Sequence, residues 1–197
     1  MSNEITDKEK EIDLSIPLWK ANIYSFPIFI LSLFVTVFPY SFLWGTQKVY
    51  SEFNSTPNFL FLIIIFFFGI ILHEIIHAIS WVMFAKIPFS KIKFGFNVRS
   101  LSPYAHCGEA VTAKVYRIAL LTPAIILGFI PIIISFISGS VWSFVTGLLF
   151  TVTACGDFLI FWLIRKVKND QLVADHPERA GCKVVGNLID TNKIKSV

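Results

Sequence analysis

Two histidines and a glutamate stand close together in a stretch of the chain that is otherwise apolar. They are His73, Glu74 and His77, in the pattern H-E-x-x-H. On a helix, residues four positions apart lie on one face about one turn from each other, so His73 and His77 can bind one zinc ion. Glu74 lies beside the first histidine, where its carboxylate can accept a proton from water on the metal. The pattern therefore predicts zinc-dependent hydrolysis, because zinc lowers the pKa of its water toward about 7.

A catalytic zinc site has three protein ligands and one open position, so a third ligand is needed. Outside the motif, the apolar stretches contain one further ionisable residue of a metal-binding type, Asp157. His77 and Asp157 each lie eight residues before the end of their apolar stretch. At 1.5 Å per residue this places both side chains about 12 Å from the ends of their helices, at one level. We therefore predict one Zn²⁺ per chain, bound by His73, His77 and Asp157, with Glu74 as the catalytic base.

Other polar side chains leave alternatives open. His106 could replace Asp157 as the third ligand if its loop folds inward, and Asp157 could then pair only with a polar neighbour. A second, structural metal could be bound by a set of residues whose spacing matches no standard zinc module: His106, Cys107, Glu109, His176 and Cys182.

The composition indicates that the helices carrying these residues cross a membrane. Hydrophobic residues make up 55% of the 197 positions and charged residues 15%, whereas soluble domains have about 25% charged residues. A water-soluble enzyme and a disordered chain are therefore both poor descriptions. A spanning helix needs about 20 mostly apolar residues. Four stretches meet this length: about 23–44, 58–85, 118–137 and 141–164.

The positive charges predict how the chain is oriented. If both termini are cytoplasmic, all but one of the 17 Lys and Arg residues lie on the cytoplasmic side, the exception being Lys48. We expect a multi-pass protein of the cell membrane, with a cytoplasmic segment at 1–20, a four-helix domain at 21–164 and a cytoplasmic tail at 165–197. Contact with anionic headgroups explains the net charge of +4, so no nucleic-acid partner is expected.

A segment between the second and third spans has the period of a β-strand. Ile92, Phe94, Phe96 and Val98 alternate with polar residues or glycine, and a second, weaker strand is expected near 104–107. The predicted fold class is an all-α integral membrane protein with about four transmembrane helices and a short amphipathic β-hairpin between helices 2 and 3. The hairpin could hold an extended substrate by strand addition, or it could lie on the lipid headgroups.

Three stretches of the chain resemble a known family: HEIIHA at 73–78, Gly156-Asp157, and DHPERAG at 175–181. They are similar to a bacterial membrane family described as putative zincin peptidases of unknown function, from about the first span to Gly181. In its order of HExxH helix, intervening segment and aspartate helix, that family is similar to the site-2 proteases, which are intramembrane zinc metalloproteases. The resemblance implies His73, His77 and Asp157 as zinc ligands.

The same resemblance implies that Glu74 is the catalytic acid and base. One departure concerns the aspartate. Site-2 proteases typically place it in an Asn-Pro-x-Asp-Gly-like or Leu-Asp-Gly setting, whereas Asp157 follows Gly156 and precedes Phe158. The metal role therefore transfers more safely than substrate handling does.

Two functions follow from these patterns. The first is an integral-membrane zinc metalloprotease acting on a membrane protein or membrane-associated peptide within the lipid bilayer. The alternative is a non-proteolytic membrane regulator or immunity-type protein with a structural zinc site, against which the intact Glu74 argues. Four histidines are too few for a membrane desaturase or hydroxylase, and no paired repeats of a transporter are visible. Neither the substrate nor the oligomeric state follows from the sequence.

Overall fold

The computed structural model describes residues 12–53, 56–97 and 102–185, and this part of the chain is mainly helical. Its α-helices are α1 (Leu18–Trp44), α2 (Thr46–Phe53), α3 (Thr56–Ala85), α4 (Ala113–Pro123), α5 (Ile130–Ser138), α6 (Val141–Thr153) and α7 (Cys155–Leu163). A π-helical segment (Ala124–Phe129) joins α4 to α5, so that these three pieces form one continuous rod. Three helices are long and apolar enough to cross a membrane, and α6 with α7 adds a fourth if the bent pair counts as one span.

The outer surface of α1 has the character of a helix that faces lipid. Of its 27 residues, the buried ones are Ala21, Thr36 and Tyr40, while large apolar side chains such as Phe34 and Phe42 are 67% and 82% exposed. A helix whose apolar side chains point in all directions and are mostly exposed is stable only in apolar surroundings. The structure thus agrees with a membrane protein.

Two prolines interrupt the α-helical hydrogen bonding in the continuous helical stretch from α4 to α5. Proline has no N–H and its ring clashes with the carbonyl four residues before it. Between Pro123 and Pro131 the chain therefore winds more widely, and the N–H of Ile130 donates to the carbonyl of Ile125, five residues back. α6 packs against this wider segment.

The fourth apolar stretch is bent in the middle. α6 and α7 meet at Ala154 with a change of direction of 41°, where the sequence predicts one helix at 141–164. The bend places Asp157 in the first turn of α7. Because α7 packs against both α1 and α4, and α4 packs against α3, the bend brings this first turn close to the HExxH helix.

Two strands pair between α3 and α4. After a 3-10 turn (Phe89–Lys91), β2 (Ile92–Asn97) runs antiparallel to β3 (Ser102–Cys107), with Lys93 opposite His106 and Phe94 opposite Ala105. Val98 of the predicted apolar face lies outside the described residues. Ile92 is buried in the core, whereas Phe94 and Phe96 are exposed.

A second sheet is absent from the expected fold of helices and one hairpin, and it joins strands that are far apart in the described part of the chain. Its strands, in the antiparallel order β1-β6-β5-β4, are β1 (Ile12–Asp13), β4 (Val111–Thr112), β5 (Leu172–Asp175) and β6 (Cys182–Val185). Residues 1–20 and 165–197 are expected to be a terminal segment and a tail, but the strands in their described parts pair with each other and with β4. Val173 and Val184 are fully buried in one core with Ala78 and Trp81 of α3.

The contact of α6 with the π-helical segment requires a glycine at position 147. A Cβ at Gly147 would lie 2.7 Å from the carbonyl oxygen of Gly128 and 2.8 Å from the backbone nitrogen of Ile132. Both are backbone atoms of a packed helix, so they cannot move aside as a flexible side chain could.

We therefore expect Gly147→Ala to lower the free energy of unfolding by about 1–3 kcal/mol, the usual cost of overpacking. Thermal unfolding in detergent micelles would measure it. Gly156→Ala is the matched control, because a Cβ there meets nothing within 4 Å. Equal unfolding temperatures for the two variants would contradict the close contact at Gly147.

Candidate functional site

The structure brings His73, His77 and Asp157 together. The Nε2 atom of His73 lies 3.0 Å from Oδ2 of Asp157 and 3.2 Å from Nε2 of His77, and the His77 Nε2 lies 3.5 Å from the same Oδ2. Ligand atoms at 2.0–2.1 Å from a tetrahedral zinc ion are about 3.3 Å apart. The three atoms therefore already have the separations of a zinc ligand set, and the group could hold a metal ion.

These polar side chains lie in apolar surroundings. His73 and His77 are 7% and 6% exposed, and the side chain of Asp157 is 16% exposed. Within the described part of the chain, Nδ1 of His73 is buried without a hydrogen-bond partner. Buried ionisable groups are costly unless they are paired or bind a metal, so this arrangement favours a ligand role over a packing role.

A backbone carbonyl of α4 orients His77. Its Nδ1 donates to the carbonyl oxygen of Ala119 at 2.8 Å. The other ring nitrogen, Nε2, is the one that lies next to His73 and Asp157. In a regular helix that carbonyl would accept from the N–H four residues later, but the residue there is Pro123, which has none. The helix-breaking proline thus leaves a carbonyl free for the histidine. Metal-binding histidines usually donate their other ring N–H in this way.

Glu74 lies beside the three candidate ligands without joining them. Its Oε2 accepts a hydrogen bond of 2.7 Å from the backbone N–H of Ala105 in β3. The contact holds one carboxylate oxygen and fixes β3 against the middle of α3. Glu74, His77 and Asp157 all line one cavity, so Glu74 shares that space with two of the candidate ligands.

The cavity connects the buried ligands with the surface. Its volume is about 230 Å³, somewhat below the ≈ 300–1,000 Å³ of small-molecule pockets. It is lined by His77 and Asp157 of the candidate ligands and by the turn between β5 and β6, where Pro177, Glu178 and Arg179 are exposed. The cavity is therefore bordered both by candidate ligands and by exposed residues of the turn in the four-stranded sheet.

His106 does not take the place of Asp157 in the structure. Its Nδ1 lies 2.7 Å from Oδ2 of Asp175, and the hydroxyl of Tyr116 donates to the other oxygen of that carboxylate at 2.8 Å. Neither the contact of Asp175 with His106 nor that of Tyr116 with Asp175 was predicted from the sequence. The sequence feature that could have pointed to Asp175 is the motif at 175–181, for which no chemical role was predicted.

The second metal site considered from the sequence has no counterpart in the described residues. There, the one group of three or more His, Cys, Asp or Glu side chains close enough to hold an ion is His73, His77 and Asp157. The cysteines are free. Burial raises the pKa of the Cys107 thiol, and it raises the pKa of Cys182 to about 12. Both side chains are therefore neutral packing groups rather than thiolate ligands.

The contact between His77 and the Ala119 carbonyl can be tested at the proline that frees it. Pro123→Ala supplies an N–H that competes for this carbonyl, so we expect the Zn²⁺ affinity to fall by about 10-fold, at the low end of effects for groups that orient a ligand. Competition with a chromophoric chelator would measure the affinity. Pro131→Ala is the control, since it removes the other proline of the same rod. An equal loss in both variants would assign the effect to helix bending instead.

Comparison with known proteins supports this chemistry. Residues 66–172 match the model of a protein family described as a putative zincin peptidase. The match includes His73, Glu74, His77 and Asp157, and it ends before the motif at 175–181. No curated protein and no solved structure matches the chain. Because the matched region covers more than half of the 197 residues, the chain belongs to this family of putative zincin peptidases.

Proposed function

We propose that the protein is an integral-membrane zinc metalloprotease that hydrolyses a peptide bond in or near the membrane. The observation that carries the proposal is the meeting of three ligand atoms from two apolar helices, beside a carboxylate that stays outside the set. A structural zinc site needs no such carboxylate, whereas a hydrolase needs one as its base. Membership of the zincin peptidase family supports the same reaction class.

In this proposal His73, His77 and Asp157 hold one Zn²⁺, and Glu74 moves the proton. When bound, zinc would supply a Lewis acid and a lowered pKa for water near 7. Glu74 accepts the proton of the attacking water and later gives it to the leaving amine. The hydrogen bond from Ala105 holds Oε2 and leaves Oε1 for this transfer. Ala119 keeps the ring of His77 in the orientation that the ligand role requires.

The position of the site suggests the class of substrate. The candidate ligands lie within apolar helices, and the cavity opens beside a small sheet, so a membrane protein or membrane-associated peptide is the natural partner. The cut segment must be extended, since a helix engages its own backbone carbonyls. With both termini in the cytoplasm, as the charge distribution predicts, the cavity would open on the cytoplasmic side of the bilayer.

The strand pair β2–β3 could bind an extended substrate or contact the lipid headgroups. The edge of β3 reaches the site through Ala105, which favours strand addition by an extended substrate. The exposed rings of Phe94 and Phe96 and the neighbouring Lys93 favour contact of the strand pair with the lipid headgroups. The two roles use different parts of the pair and are compatible.

Metal content tests the ligand set. We expect about one Zn²⁺ per chain in the detergent-purified protein by mass spectrometry, since three ligands and an open position form a complete catalytic site. His77→Ala and Asp157→Ala should lose the metal, and Glu74→Gln should keep it. Size-exclusion chromatography would show that each variant stays folded. Full zinc in Asp157→Ala would remove that residue from the site, and no zinc in the folded wild type would refute the proposal.

Glu74→Gln separates a protease from a zinc-binding regulator. Cells producing the wild type should accumulate new N-termini from membrane proteins, detected by terminal-peptide mass spectrometry. In Glu74→Gln cells these should fall by about 10²-fold or more, because the general base is lost. Identical termini in both strains, with zinc bound in both proteins, would instead support the non-proteolytic regulator.

A further inference from the structure

The turn between β5 and β6 borders the same cavity as the candidate ligands, and the proposed mechanism does not use it. All the residues at 176–181 line the cavity of about 230 Å³. Pro177, Glu178 and Arg179 are exposed, whereas the strands on either side contribute to the buried core. We call residues 176–181 the cavity turn.

Hydrogen bonds give the cavity turn a fixed shape. The Nδ1 atom of His176 accepts from the backbone N–H groups of Glu178 and Arg179, each at 3.1 Å. The N–H of His176 donates to the carbonyl of Gly181 at 3.0 Å, which closes the turn. Gly181 has a φ of 122°, and a Cβ there would lie 2.7 Å from the carbonyl oxygen of Leu14. The backbone that carries Glu178 is therefore held in place before any ligand binds.

The two charged side chains of the cavity turn differ in their partners. Arg179 donates to the carbonyl oxygen of Ser15 at 3.0 Å and interacts electrostatically with Asp13, so its charge is engaged with the segment before α1. Among the residues that the structure describes, the side chain of Glu178 takes part in no hydrogen bond or ion pair. Its carboxylate is exposed and thus available to a ligand.

The charge of the cavity is opposite to that of the whole chain. The chain has 17 Lys and Arg residues against 13 Asp and Glu. Of the described residues that line the cavity, however, Glu74, Asp157, Asp175 and Glu178 are acidic and Arg179 is basic. A Zn²⁺ ion at the candidate ligands would balance Glu74 and Asp157, and Asp175 already accepts from two side chains. Glu178 is therefore the acidic group that remains for a cationic ligand.

A buried polar group of the cavity wall also points to a polar ligand. Trp81 lines the cavity and is 4% exposed, and its Nε1 is buried without a hydrogen-bond partner among the described residues. An indole N–H can only donate, and a buried donor without an acceptor costs free energy. The backbone carbonyls of an extended peptide would supply such an acceptor, so the wall suits a peptide as well as its side chains.

We propose that Glu178 is a specificity-determining residue that binds a Lys or Arg side chain of the substrate, so that the protein prefers cationic segments next to the membrane. This rests on the proposed function. In the predicted topology the cavity opens on the cytoplasmic side, and membrane proteins carry an excess of Lys and Arg close to the cytoplasmic ends of their spanning helices. Such a segment brings a cation to the cavity turn while its extended backbone lies beside Glu74. Glu178 contributes binding alone, and the proton transfers remain with water and Glu74.

The test measures binding rather than turnover. The protein is loaded with Co²⁺ in micelles of an uncharged detergent and titrated with tetrapeptides that carry a hydroxamate at one end or the other. The hydroxamate binds the metal, and the visible absorption of Co²⁺ reports this binding. The peptides contain alanine except at one position, which holds Lys, Gln or Glu, and each position is tried in turn.

We expect one position at which the Lys peptide binds about 2- to 5-fold more tightly than the Gln peptide, the range of an exposed ion pair, and the Glu peptide binds more weakly than both. The difference should shrink in about 0.5 M NaCl, because salt screens exposed charges.

Three variants assign the preference to one carboxylate. In Glu178→Gln the Lys, Gln and Glu peptides should bind equally, and in Glu178→Lys the order should reverse. Because the side chain is exposed, both variants should keep the cobalt spectrum and the affinity for the Gln peptide. Asp170→Asn is the matched control, since it removes an exposed carboxylate that is not among the residues lining the cavity, and it should keep the preference for Lys.

The possible results are distinct. Equal affinities of the wild type for the Lys and Glu peptides at every position would overturn the preference for cations. A preference for Lys that persists in Glu178→Gln would overturn the role of Glu178. In both cases the binding of hydroxamate to the metal would leave the proposed function standing. If the folded wild type bound no cobalt, or bound cobalt but no hydroxamate, the proposed function itself would fail, and this inference with it.

Discussion

The structure depends on the pairing of polar groups inside apolar helices. α3 carries two imidazoles and α7 carries a carboxylate at positions where neither helix alone could compensate for their burial. The contact between His73 and Asp157 at 3.0 Å, joined by His77, is where these groups satisfy each other. An unpaired charge in such surroundings costs several kcal/mol, so the pairing favours the packing that brings α3 and α7 together. The bend between α6 and α7 lies just before Asp157, whose place in the first turn of α7 allows it to contact His73 of α3.

Two backbone groups hold the side chains of the candidate site in place. In α4, Pro123 leaves the carbonyl of Ala119 without its helical donor, and His77 donates to it. In β3, the N–H of Ala105 donates to Glu74 from outside the helices. One contact orients a candidate ligand and the other holds the candidate base. Both use backbone groups, whose positions are held by the surrounding secondary structure more firmly than those of a flexible side chain.

The four-stranded sheet gives the cavity its outer wall. It combines residues from near the N-terminus, from the segment before α4 and from beyond α7, and it shares its core with the ends of α3 and α4. Its turn between β5 and β6 lines the cavity and carries the motif at 175–181. Arg179 donates to the carbonyl of Ser15, and Ala180 pairs with Ile16, so the segment before α1 fastens this turn. The site is therefore bounded by apolar helices on one side and by the four-stranded sheet on the other.

Local patterns determined much of this protein. The four-residue spacing of His73 and His77 defines one helical face, the long apolar stretches define helices able to span a membrane, and equal distances from the helix ends led to Asp157. These are properties of neighbours along the chain, and helix geometry carries them directly into space. The tertiary structure alone decided the pairing of Ile12 with Val184, the contact of His106 with Asp175, and the use of the Ala119 carbonyl by His77. The strands of the four-stranded sheet are two to four residues long, too short to show a period, and their partners lie far apart in sequence. Such contacts form only when packing brings distant segments together, so no local pattern encodes them.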